Sequence, residues 1–148
     1  MIGGINKLLR NFSALRGKDA FEKHLIKATY TGDSKEPKEK HVAFLLDCLR
    51  GAYADISTPD AVMKLLDRYV NNLKNWSLTG KVQVILHRAL LDKDSGREVA
   101  NLLKENENML YTFQRKTGDS SFESKMHELM SELYISYIKS LVNFLIKC

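Results

Sequence analysis

Three features of the sequence predict an all-α fold. Apolar residues recur at spacings of three and four along most of the chain, no segment shows strong apolar–polar alternation, and only two prolines occur in 148 residues. The length fits about one domain, able to bury roughly 70% of its unfolded surface without staples or metal. Cys48 and Cys148 are too few for a disulfide framework and suggest a reducing compartment. The opening stretch MIGGINKLLRNF has no unbroken apolar run of signal-peptide length.

Each element follows from its pattern. From Asp19, the residues Ala20, Phe21, His24, Leu25 and Ala28 mark an amphipathic helix. Tyr30 to Glu36 is polar, holds Gly32 and reads as a loop. Pro37 suits the first helical position, where its missing N–H costs nothing. The helix it opens turns Val42, Leu45, Leu46 and Leu49 inward and stops at Gly51. Thr58-Pro59-Asp60 predicts the next start, with Thr58 as cap and Val62, Leu65, Leu66, Tyr69 and Leu73 as the buried stripe. A fourth helix spans Trp76 to Leu91 on Val82, Ile85, Leu86, Ala89 and Leu90, with Gly80 weakening its first turns. A shorter one covers Gly96 to Lys104, and Asn106 to Lys116 is left open. The last helix runs from Ser121 to Lys147 with Phe122, Met126, Leu129, Leu133, Tyr137, Leu141 and Leu145 aligned. Leu129 to Ile146 is at the lower limit for a membrane span and contains Glu132 and Lys139, so a terminal helix buried against its neighbours is expected instead. About seven helices result, with no internal repeat.

The residue types do not assemble into a catalytic or metal motif. His24, His41, His87 and His127 share no ligand spacing with either cysteine, and the phosphate-loop, dinucleotide and nucleophile-elbow motifs are missing. Glu98, Glu105 and Glu107 read as surface charge. His87, beside an apolar stripe, reads as a hydrogen-bonded structural histidine, and Trp76 as a packing anchor. The expectation is a protein that is not an enzyme and takes no cofactor or metal.

Charge is the informative feature. The net charge is +5. Residues 1–41 hold nine Lys or Arg against five Asp or Glu, whereas residues 42–148 hold fourteen against thirteen. A local basic excess favours an anionic partner. Within it, Lys27 ends the first helix, while Lys38, Lys40 and His41 open the second. A helix start offers free N–H groups and partial positive charge, an anion site in itself. Lysines there are disfavoured by the dipole, and Glu39 offsets them only in part, so the arrangement makes sense if an anion is expected. The plain alternative is that these lysines are merely solvated.

The stretch KATYTGDSKEPKEKH resembles the phosphoinositide-binding segment of ANTH domains, the N-terminal modules of CALM-type clathrin-assembly proteins. The family pattern is Lys, nine residues, Lys, any residue, Lys or Arg, then His or Tyr. Here Lys27 is followed by ten residues before Lys38, Glu39, Lys40 and His41, one more than the pattern. Asn75-Trp76 and His87-Arg88-Ala89-Leu90 resemble a second family helix. The likeness is clearest over residues 20–100. It implies a right-handed superhelical stack of α-helices, a solenoid of ENTH/ANTH type, with residues 13–148 covering the N-terminal part of a longer ANTH domain. It also implies recruitment to phosphatidylinositol 4,5-bisphosphate on the cytoplasmic face of the plasma membrane or of clathrin-coated pits and vesicles. Lys27, Lys38 and Lys40 would ligate phosphates as point charges and His41 would add a hydrogen bond. Lys35, in the longer loop, is a further candidate contact. Clathrin and the adaptor complex would be engaged by regions outside this chain, and SNARE cargo is left open. Protonated His41 would strengthen binding below about pH 6.5.

Residues 1–12 form a separate candidate. Ile2, Ile5, Leu8 and Leu9 share a helical face with Phe12, beside Lys7 and Arg10, a pattern that suits membrane insertion although Gly3-Gly4 weakens the helix. Two other functions compete. A VHS-like helical module would bind a short peptide in a groove and would not need Lys38 and Lys40. A nucleic-acid binder would spread basic residues along a face with aromatics free to stack, which this chain does not do.

Overall fold

The computed structural model describes residues 17–32, 38–111 and 121–147. Among them are seven α-helices and no strand, as the periodicity predicts. They are α1 (Gly17–Ala28), α2 (Glu39–Leu49), α3 (Thr58–Val70), α4 (Trp76–Leu91), α5 (Gly96–Glu105), the single turn α6 (Glu107–Leu110) and α7 (Phe122–Lys147). The segment 1–12, with Ile2, Ile5, Leu8 and Leu9, lies outside the described residues, as does Lys35.

Local chemistry sets the boundaries. Lys38 is the N-cap of α2, in extended conformation, so the helix begins at Glu39, later than the sequence predicts. Arg50 ends α2. Gly51 follows at φ +81°, a left-handed conformation that favours glycine. The Gly51 and Ala52 amides donate to the Cys48 and Asp47 carbonyls at 3.0 and 3.1 Å, which closes the end as a Schellman motif. At α3 the cap is Ser57, one residue before the expected Thr58: its Oγ accepts from the Asp60 amide at 3.2 Å. The Thr58 hydroxyl instead donates to the Leu49 carbonyl at 2.9 Å, which ties α3 to the end of α2. Asn75 caps α4 by accepting from the Leu78 amide at 3.1 Å.

One continuous core follows. Phe21 and Leu25 of α1, Leu45 and Leu49 of α2, Leu65 and Leu66 of α3, Ile85 and Leu86 of α4 and Val99 and Leu103 of α5 are all buried. Each helix from α1 to α5 packs on the next, and α1 on α3, α2 on α4 and α3 on α5. Helix α3 therefore sits in the middle, and Tyr69 on its last turn is buried with its hydroxyl pKa raised by that burial.

The last helix departs from expectation. It packs against α4 and α5 through Ile135, Ile138 and Val142, with Leu141 and Leu145 half-buried beside them. The stripe read from the sequence begins on the opposite side, where Phe122, Leu129, Leu133 and Tyr137 are exposed. The cause is geometric. Each i+4 step advances about 40° around a helix, so a row made mostly of such steps winds from one face to another. The helix is long and apolar enough to cross a membrane by length and composition alone, and 17% of its most apolar window is buried. Among the described residues it is covered along one face only.

Candidate functional site

The end of α1 and the start of α2 form the basic corner. Lys27 lies in the last turn of α1, Lys38 caps α2 and Lys40 is in its first turn, all three exposed. His41 is buried behind them, 7% exposed. Burial lowers the His41 pKa first, and the nearby charges of Lys40, Lys27 and Lys38 lower it further. The three lysines named by the sequence are therefore close enough to act on one imidazole.

The structure adds two residues that the motif does not contain. His24 Nδ1 lies 2.8 Å from His41 Nδ1, so one ring donates and the other accepts. The His24 ring stacks on Phe44, with centroids 4.3 Å apart. Its pKa is lowered by burial, then by His41, Lys27, Lys23 and Lys40, which brings Lys23 into the same field. The spacing Lys23-His24-Lys27 held part of this signal, since residues three and four apart share a helix face.

The described acidic neighbours do not cancel the corner. Both Glu39 oxygens accept from Arg88 of α4, at 2.7 and 2.8 Å, and this pairing holds the carboxyl below its usual range. Among the described residues no carboxylate pairs with Lys23, Lys27, Lys38 or Lys40. Other cations are drawn into structure. Lys81 donates to the Tyr30 carbonyl, Arg68 Nε donates to Thr29 Oγ1 at 3.1 Å, and Lys64 pairs with Glu22 at 2.7 Å. These ties anchor the corner to α3 and α4 and leave the four lysines facing water.

Of the remaining sequence candidates, His87, Trp76 and Glu107 have structural partners. His87 is half-buried, with Nδ1 2.7 Å from the Tyr134 hydroxyl and its ring edge-on to Tyr134 and Tyr137. Trp76 is 42% exposed and stacks on His127, with centroids 3.5 Å apart. Glu107 pairs with Lys104 at 3.1 Å, while Glu98 and Glu105 are exposed. Burial pushes the Cys48 thiol up to about 12, so it carries no thiolate near neutrality. Among the described residues no group of three His, Cys, Asp or Glu side chains is placed to hold a metal ion. Comparison with protein families, with curated proteins and with solved structures finds no match to this chain.

The corner can attract an anion carrying more than one negative charge. Its groups are ammonium ions on flexible stems, suited to phosphates in several geometries, and the free amides of the α2 first turn add donors. The carboxylate of the first turn is already paired.

Proposed function

We propose that this chain is a non-enzymatic, ANTH-like module that recruits a clathrin endocytic adaptor to membranes containing phosphatidylinositol 4,5-bisphosphate. The observation that carries the reading is the set of exposed lysines around His41, with the neighbouring acid Glu39 held by Arg88. In this reading Lys27, Lys38 and Lys40 contact headgroup phosphates, and His41, whose Nδ1 is engaged by His24, offers Nε2. Within α1 to α5, the packing of each helix on the next and on the next but one supports a superhelical stack of the ENTH/ANTH kind. The clathrin and adaptor-complex contacts, made by regions outside this chain, rest on the resemblance of the Lys27 to His41 segment and of the Asn75 to Leu90 helix.

Lysines near an anionic membrane contribute about 1 kcal/mol each. Binding by one copy is accordingly weak, and several copies or added partners on one membrane give stable recruitment. Liposome co-sedimentation with and without phosphatidylinositol 4,5-bisphosphate tests the proposal. Lys38→Glu/Lys40→Glu removes two favourable contacts of about 1 kcal/mol each, so partitioning should fall at least about thirtyfold. Sedimentation indifferent to both the lipid and the substitutions counts against it.

A further inference from the structure

A groove of about 560 Å³ lies between α4 and α7 and reaches the first turn of α2. Its size is that of a small-molecule site. Trp76, Val84, Met130 and Tyr134 supply apolar and aromatic wall. The two helices are tied across it by the stacking of Trp76 on His127 and by Gln83 Nε2, which donates to Ser131 Oγ at 3.0 Å.

Gly80 gives the groove its second argument. It lies inside α4, where glycine costs about 1 kcal/mol relative to alanine. A Cβ added there would meet no atom within 4 Å, so local packing does not demand a glycine. The residue lines the groove, and a larger side chain would occupy it. Helix stability is thus given up at a position that keeps this space open.

Charge defines the occupant. Among the described lining residues Lys81 and Arg88 stand against a single carboxylate, Glu39, which gives a surplus of one positive charge. Arg88 is held by Glu39, and Lys81 donates to the Tyr30 carbonyl, which leaves its ammonium two further N–H donors. An apolar trough with one cation that no described carboxylate pairs fits a hydrocarbon with one anionic head. Met130, 60% exposed and flexible, can follow the shape of such a chain. We propose that the groove binds an acyl chain ending in a carboxylate, with the chain along Trp76, Val84 and Met130 and the carboxylate on Lys81. None of Lys27, Lys38, Lys40 and His41 lines the groove.

Trp76 is the only tryptophan in the chain, so its fluorescence reports occupancy. The full chain is titrated with dodecanoate and with dodecanol, each below its aggregation limit. Wild type should show a saturable one-to-one change and prefer the acid at least about fivefold, and Lys81→Met should lose that preference. Gly80→Leu should weaken dodecanoate binding at least about tenfold while its melting temperature holds or rises. Val84→Glu, from a surface position, should weaken it by a similar factor and serves if the first variant misfolds. The proposal is overturned if wild type gives no saturable change, or if both folded variants bind dodecanoate as wild type does. It is equally overturned if only an acidic apolar peptide binds in a Gly80-dependent way.

Discussion

His24 and His41 share one hydrogen between their Nδ1 atoms, and both have pKa values below the ordinary 6.5. Burial is the larger cause for each, and the surrounding lysines add to it. The unfolded chain therefore binds more protons than the folded one at mildly acidic pH. The stability contributed by this pair is fully present above 6.5 and is lost as pH falls through the two lowered folded values. The urea midpoint should drop between about pH 7 and 5, and His24→Phe, which keeps a ring on Phe44, should flatten that dependence. A midpoint with the same pH slope in the variant would show that His24 does not contribute. At the corner, Lys27, Lys38, Lys40 and His41 were legible because their chemistry is local to two helix ends. His24 was not assigned to the site, because its contact with His41 spans 17 residues and depends on how α1 packs on α2.

At the scale of elements, the boundaries were legible wherever side-chain chemistry singles out one residue. Gly51 does so, because its left-handed backbone strains any side chain. Gly51→Ala should cost about 1–2 kcal/mol, read as a lowered urea midpoint with an unchanged slope. The start of α3 is different. Ser57 and Thr58 are both capping residues, and the choice between them follows from the Leu49 carbonyl, which takes the Thr58 hydroxyl. Helix α7 has apolar residues on opposite sides. Its sequence announces a helix, but the fit against α4 and α5 selects the Ile135, Ile138 and Val142 face for burial.

At the scale of the molecule, α3 carries the core and charged side chains link elements distant in sequence. Leu65 is fully buried, and Leu65→Ala should cost about 2–5 kcal/mol by chemical denaturation, whereas a cost near zero would place it outside the core. Arg50 joins Asp47 of α2 to Asp92 after α4, and its hydrogen bonds to Asp92 hold that carboxyl below the usual range. Helical periodicity, the caps and the cluster of lysines at one turn belong to the sequence itself, because each depends on residues a few positions apart. The pairing of His24 with His41, the capture of Glu39 by Arg88, the buried face of α7 and the groove beside Gly80 were decided by tertiary structure. In each of these the interacting groups are far apart in the chain, and only packing of the helices sets which of several chemically acceptable partners comes within reach.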